Sequence, residues 1–161
     1  MGSAIEGTPA VGDAATGGPA RPRRPRPGAL HHVEVYVADL EPSVAFWGWL
    51  LPELGYEVFQ EWDEGISFRL GDTYLVFAQA PVTEAGLDRR GVGLNHLAFH
   101  VADTAAVDAL TEQLRDRGVR VLYPERHPYA GGPDHYALFC EDPNGLKVEL
   151  VAADRSASDE R

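Results

Sequence analysis

The sequence is poor in cysteine and has no long apolar run. Cys140 is the one cysteine among 161 residues, so it has no partner within the chain for a disulfide. A reducing, cytoplasmic location is the simplest interpretation. No run of 18 apolar residues occurs, so we expect no membrane-spanning helix and no membrane partner. The N-terminus lacks a charged start followed by an apolar stretch, so we also expect no secretory signal.

An excess of positive charge is also absent, because the formal net charge is −11 at pH 7. An acidic surface repels nucleic acid, whose binding depends on neutralisation of phosphates by Lys and Arg, so we expect no nucleic-acid partner. The basic stretch RPRRPRP at residues 21–27 alternates with proline, and we interpret it as extended, solvated chain rather than as a site for an anionic surface. It belongs to a predicted disordered tail at residues 1–28, and residues 154–161 predict a second, short tail.

The chain between these tails contains an internal repeat. The segment HVEVYVAD at residues 32–39 matches HLAFHVAD at residues 96–103, and in both the histidine precedes the aspartate by seven residues. Each aspartate opens a pattern typical of an amphipathic helix. Each helical pattern ends near a glycine, Gly55 or Gly118, which is a common helix stop.

Both halves continue with three strand-like segments. They are YEVFQEW, ISFRL and TYLVFAQA in the first half, and VRVLYPE, HYALFCE and LKVELVA in the second. The last two segments are joined by the turn sequence DPNG at residues 142–145. The sequence therefore predicts an α+β fold with a single domain at residues 29–153. This domain consists of two βαβββ modules, at residues 29–80 and 94–153, joined by a linker at residues 81–93.

Alternation along the strands places three candidate metal ligands on polar faces. In the first strand of each half, one side is apolar and the candidate histidine, His32 or His96, lies on the opposite side. The apolar residues are Val33, Val35 and Val37 in the first half, and Leu97, Phe99 and Val101 in the second. In the last strand Glu149 faces away from the helices. If the two halves form one curved sheet, these side chains can meet in its concavity. Two histidines and a carboxylate suit a divalent transition metal and leave positions for water or substrate. Taken singly, each residue fits an ordinary surface position equally well.

Three stretches, HHVEVYVADLEPSVAFW, NHLAFHVAD and EDPNGLKVELV, resemble the vicinal oxygen chelate superfamily. That superfamily includes glyoxalase I, fosfomycin-resistance thiol transferases, extradiol dioxygenases and bleomycin-resistance proteins. The resemblance covers residues 30–151 and implies two βαβββ modules that form an open, barrel-like concave sheet. It also implies metal ligands at His32, His96 and Glu149. The chemistry shared by the superfamily is binding of two neighbouring substrate oxygens to the metal, which stabilises negative charge on them.

Departures from the family patterns restrict the choice of reaction. Glyoxalase I has a fourth ligand, a glutamate, on the last strand of the first half, and the alignment with Glu149 places Val76 there. The extradiol dioxygenases generally have a tyrosine where this chain has Phe139. The fosfomycin enzymes bind phosphonate through basic residues on the second half, whereas the segment 121–133 contains one arginine, one histidine and no lysine. No subfamily fits in every respect.

The same polar faces supply candidates for catalysis and substrate binding. Glu34 lies two residues from His32 on the same face and is a candidate general base, although orientation of the ligand histidine is an equally good role. His100 is the alternative base. The segment 125–136 is either a lid over the cavity or a long turn. The substrate-binding candidates are Tyr36, His135, Phe139 and Lys147.

We therefore expect a metal-dependent enzyme that acts on a small oxygenated substrate by lyase, isomerase or group-transfer chemistry. The divalent metal could be Mn, Fe, Ni, Co or Zn, because the ligand types do not choose among them. The alternatives are an Fe(II) extradiol-type dioxygenase and a metal-free protein that sequesters a drug. We also expect a homodimer, in which His32 of one chain could join His96 and Glu149 of the other.

Overall fold

A computed structural model describes residues 26–84 and 86–153. The predicted tails therefore lie outside the described residues, except for the short stretch 26–28. Within the described ranges, no helix has the length and apolar character needed to cross a membrane. The elements are β1 (His32–Val37), α1 (Leu40–Glu53), β2 (Glu57–Trp62), β3 (Gly65–Leu70), β4 (Thr73–Gln79), β5 (His96–Val101), α2 (Thr104–Asp116), β6 (Ala137–Glu141) and β7 (Lys147–Ala152).

The α+β fold and the internal repeat are confirmed. The strands form two sheets, of order β1-β4-β3-β2 and β5-β7-β6, and in each sheet the first strand of the module pairs in parallel with the last. The registers are equivalent, because Glu34 pairs with Val76 in the first sheet and Ala98 pairs with Glu149 in the second. Val76 therefore occupies the position of Glu149, as the sequence alignment predicted.

The two helices begin and end as the repeat predicts. Asp39 caps α1 by accepting a hydrogen bond from the backbone N–H of Glu41 at 3.2 Å, and Asp103 caps α2 in the same way. The backbone leaves both helices through a glycine in the left-handed region, with φ of 86° at Gly55 and 73° at Gly118. Each chain reversal then returns the backbone to its own sheet.

The predicted strand VRVLYPE is wrong for most of its length. This segment contributes a single bridge, between Val121 and Cys140, and the second sheet therefore has three strands. Extended structure stops at Tyr123, whose φ is 54°, because a left-handed residue turns the chain out of the sheet. Pro124 follows and cannot donate a ladder hydrogen bond. The chain then turns back, with the N–H of His127 donating to the carbonyl of Tyr123 at 2.9 Å.

One apolar core joins the two modules. Trp47 of α1 is fully buried, stacks on Phe77 at 4.6 Å between ring centroids and reaches Phe99 of the second sheet at 6.3 Å. Its indole N–H also donates to the buried carboxylate of Asp142 at 3.1 Å. The apolar faces of both sheets contribute to this core. Their polar faces therefore point away from it, and one chain does not form the single curved sheet on which the predicted convergence of the three ligands depended.

Replacement of Trp47 tests this connection between the modules. Burial raises the pKa of the Asp142 carboxyl, and the hydrogen bond from Trp47 opposes that rise. We expect Trp47→Phe to lower the free energy of unfolding by about 2–3 kcal/mol at pH 8, because a buried carboxylate loses a donor. Without the Trp47 hydrogen bond the pKa of Asp142 in the folded variant is higher than in the folded parent. The variant therefore gains more stability than the parent as Asp142 becomes protonated, so the difference in free energy of unfolding should shrink as the pH falls towards 5.

Urea unfolding at pH 8 and pH 5 measures both effects. Trp49→Phe is the matched control, because Trp49 is only partly buried and carries Arg117 over its ring at 4.2 Å. We expect that control to lose about 1 kcal/mol or less at both pH values. A loss in Trp47→Phe that is the same at both pH values would contradict the account.

Candidate functional site

The candidate site is built around Glu149 in the middle of β7. Its carboxylate lies on the polar face of the second sheet, yet the residue is only 5 % exposed. The flanking strands place Ala98 on one side and Phe139 on the other. A buried carboxylate costs several kcal/mol unless cations or hydrogen-bond donors compensate it. The groups around Glu149 therefore decide whether this position is stable.

Two imidazoles contact the two oxygens of this carboxylate. His96 Nε2 lies 3.0 Å from Glu149 Oε2, and His135 Nε2 contacts Oε1. His96 comes from the neighbouring strand β5, whereas His135 comes from the loop that precedes β6. His135 is a predicted substrate-binding residue, and the structure places its ring on the carboxylate. The close approach depends on Gly131, because a Cβ there would lie 2.4 Å from His135 Cδ2.

Asn95, which the sequence analysis missed, contacts Nδ1 of His96. The Asn95 side-chain amide donates to the carbonyl of Arg89 at 3.0 Å, so its Oδ1 faces His96 Nδ1 at 2.8 Å. Because a carbonyl oxygen can only accept, His96 Nδ1 carries the proton. In the neutral imidazole Nε2 is then a lone pair, and this lone pair faces Glu149 Oε2. The only sequence signal for Asn95 was its position directly before the candidate ligand.

The His96–Glu149 pair has the spacing of two metal ligands. A lone pair that faces a carboxylate oxygen is unfavourable unless a proton or a metal cation lies between them. Two ligand atoms that are each about 2.1 Å from a metal, at right angles, lie about 3.0 Å apart. The observed separation of 3.0 Å therefore fits two adjacent positions of a divalent metal.

His32 is not part of this cluster within one chain. It lies on the first sheet, where its Nδ1 contacts His31 Nδ1 at 2.9 Å and its ring stacks on Tyr74 at 4.8 Å. Among residues 26–84 and 86–153, no three His, Cys, Asp or Glu side chains are arranged to hold a metal ion. The cluster around Glu149 in one chain is therefore not a three-ligand site by itself. Each chain thus presents two separate halves of the predicted ligand set.

The other predicted site residues divide between the two sheets in the same way. Glu34 and Tyr36 are exposed on the outward face of β1, and Tyr36 is 62 % exposed. His100 is exposed on β5. Lys147 Nζ lies 5.7 Å from the ring centroid of Phe139, beside Glu149. The loop that carries His135 is a series of tight backbone turns, among them the hydrogen bond from the N–H of residue 132 to the carbonyl of residue 129 at 3.1 Å.

Comparisons with known proteins agree with this architecture. The family model described as Glyoxalase/Bleomycin resistance protein/Dioxygenase superfamily matches residues 29–150. The uncharacterized Bacillus subtilis protein YqjT is 56 % identical over 125 residues, which are 76 % of this chain and 98 % of YqjT. Glutathione transferase FosA of Serratia marcescens is 28 % identical over 122 residues, which are 76 % of this chain and 79 % of FosA.

Solved structures show the same likeness. The crystal structure of a "putative glyoxalase" from Bacillus halodurans is 56 % identical and superposes with a TM-score of 0.78, over 79 % of this chain and 97 % of that one. Lactoylglutathione lyase from Agrobacterium tumefaciens has a TM-score of 0.56 at 22 % identity, over 79 % of this chain and 95 % of its own. The second likeness is one of fold alone.

Substitution of Gly131 tests how tightly the loop holds His135. A Cβ at residue 131 displaces the imidazole, so Gly131→Ala should lower the free energy of unfolding by about 1–3 kcal/mol. Gly48→Ala is the matched control, because its Cβ would meet only ordinary contacts at 3.9 Å from Phe68 and Val44. Inside α1 that change should raise the free energy of unfolding by up to about 1 kcal/mol. Urea unfolding measures both.

A double variant shows whether the effect passes through the imidazole. When His135→Ala has already removed the ring, adding Gly131→Ala should cost little further. An equal cost of Gly131→Ala with and without the His135 ring would contradict the interpretation.

Proposed function

Because the chain belongs to the Glyoxalase/Bleomycin resistance protein/Dioxygenase superfamily, we propose that it is a metal-dependent enzyme that acts on a small oxygenated substrate. This is the superfamily that the sequence resembles. The observation that supports the proposal best is the separation of 3.0 Å between His96 Nε2 and Glu149 Oε2, which fits two adjacent ligand positions of a metal. The reaction is a lyase, isomerase or group-transfer reaction in which the bound metal stabilises negative charge on two neighbouring substrate oxygens.

A second copy of the chain supplies the third ligand in this proposal. Members of the superfamily bind small molecules and often act as dimers. The shared core of one chain directs both polar faces outward, so His32 can meet His96 and Glu149 only across an interface between copies. Exposed aromatic rings on the first polar face, such as Tyr36 and Phe59, are apolar surface that such an interface would cover.

The other residues of the site then have specific tasks. Glu34 acts as the general base, because it lies two residues from His32 on the same outward face and directly beside Val76. Glu34 thus provides a carboxylate in the first module beside Val76, the position that is equivalent to Glu149 in the second module. His100 is the alternative base. Phe139 forms an apolar wall beside Glu149. The remaining substrate contacts in the proposal are Tyr36 and Lys147.

Group transfer to a thiol is the reaction that the comparisons favour. The chain is 28 % identical to FosA, a glutathione transferase. Val76 also leaves the first sheet without the carboxylate that glyoxalase I uses as a fourth ligand. Extradiol ring cleavage is disfavoured, because Phe139 has no hydroxyl group to act beside Glu149. A thiol co-substrate fits the proposed cytoplasmic location, which rests on the lone Cys140.

Metal content of mixed dimers tests the shared site. His32→Ala and His96→Ala should each lose the metal when expressed alone, as measured by elemental mass spectrometry. A heterodimer of the two variants contains one site with all three ligands and one with neither histidine. We therefore expect the heterodimer, purified through two different tags, to recover half of the parent's metal per chain.

Other outcomes would contradict specific parts of the proposal. A heterodimer as empty as each single variant would place the site within one chain. Full metal content in His32→Ala would exclude His32 as a ligand. If the parent protein bound none of Mn, Fe, Ni, Co or Zn, the metalloenzyme would be excluded in favour of a metal-free binding protein. If the protein does bind a metal, two assays distinguish the enzyme reactions. Consumption of glutathione in the presence of fosfomycin indicates thiol transfer, and oxygen uptake in the presence of catechol indicates ring cleavage.

A further inference from the structure

We infer that the residue before each candidate ligand histidine, His31 in the first module and Asn95 in the second, is a positioning residue that holds the histidine ready for a metal. This inference rests on the proposed metal site. It follows from a contact that occurs in both halves of the repeat. His31 Nδ1 lies 2.9 Å from His32 Nδ1, and Asn95 Oδ1 lies 2.8 Å from His96 Nδ1. The two modules thus use different side chains at the same position for the same contact.

The contact determines which ring nitrogen remains available. A histidine that binds a metal through Nε2 must carry its proton on Nδ1, and a hydrogen bond from Nδ1–H fixes that form. Asn95 Oδ1 can only accept, so it selects this form of His96. His31 can accept through its Nδ1 lone pair and then selects the same form of His32. In both modules Nε2 is then left without a proton on the polar face of the sheet, where His96 Nε2 faces Glu149 Oε2.

Both positioning residues are themselves anchored. The Asn95 amide donates to the carbonyl of Arg89 at 3.0 Å, which prevents the amide from turning over. The carbonyl of His31 accepts from the backbone N–H of Tyr74 at 3.1 Å, and the two rings meet edge to face at 5.1 Å. Tyr74 also stacks on His32 at an interplanar angle of 7°, so the ring plane of His32 is fixed from a second side. His31 therefore has a task, although the sequence analysis assigned it none.

The internal repeat provides a matched set of variants. His31→Leu and Asn95→Leu remove the contact, whereas His31→Asn and Asn95→His each place in one module the side chain that the other uses. Equilibrium dialysis against Mn²⁺ alone measures affinity, and the absorption spectrum of the Co²⁺ form reports the ligand field. We expect each leucine variant to bind Mn²⁺ about 10–100-fold more weakly than the parent, and each exchange variant to stay within about threefold of it.

His127→Leu is the control, because it removes an imidazole from the His135 loop for which the structure records no hydrogen bond or ion pair. It should bind Mn²⁺ like the parent. Thermal unfolding of the metal-free variants checks that each of them folds. The exchange variants should also keep the Co²⁺ spectrum of the parent, a signature that a merely structural role of these residues would not predict.

Two results would overturn the inference while leaving the metal site intact. In the first, the leucine variants bind Mn²⁺ as tightly as the parent. In the second, the exchange variants bind as weakly as the leucine variants, which would mean that the hydrogen bond to Nδ1 is not what matters. A parent protein that binds neither Mn²⁺ nor Co²⁺ would instead overturn the proposed function, and this inference with it.

Discussion

A carboxylate that is 5 % exposed on the polar face of a sheet has to be compensated, and the second module is organised around that need. Two imidazoles contact the oxygens of Glu149, one from the adjacent strand and one from a loop. The loop must bring His135 in closely, so it has no room for a side chain at Gly131. On the other oxygen, Asn95 leaves His96 with a lone pair that faces the carboxylate. His96 Nε2 and Glu149 Oε2 thus offer two ligand positions for a cation, and a bound cation would compensate the buried charge.

The second constraint is the single core that the two modules share. Trp47 contacts rings in both sheets and donates to Asp142, so the apolar faces of the two sheets are packed together within one chain. Polar faces must then point outward, and the two candidate histidine ligands of one chain lie on different sheets. The proposed three-ligand site therefore needs a second copy of the chain. Under the proposed function, metal binding and oligomeric state are coupled, because one chain holds the proposed ligands in two separate places.

Local periodicity predicted the parts of the fold that local sequence determines. The repeated His-to-Asp spacing gave the first strand and helix of each module, and the register that makes Val76 equivalent to Glu149. Strand propensity failed after α2, because the left-handed backbone at Tyr123 ends the extended segment. The alternation of side chains placed Glu149 on the correct face but carried no information about its burial. The contact of His135 with it, and the separation of His32 from it, depend on tertiary packing that no sequence period encodes.

Anomalous diffraction from crystals grown with Mn²⁺ tests the central claim most directly, because it locates the metal and its ligands together. We expect one peak per chain, within bonding distance of His96 Nε2 and Glu149 Oε2, with His32 of a second copy as the third protein ligand. A peak ligated by residues of one chain alone would contradict the shared site. Mn²⁺ bound away from Glu149, or no peak in crystals that contain excess Mn²⁺, would contradict the assignment of this carboxylate as a metal ligand.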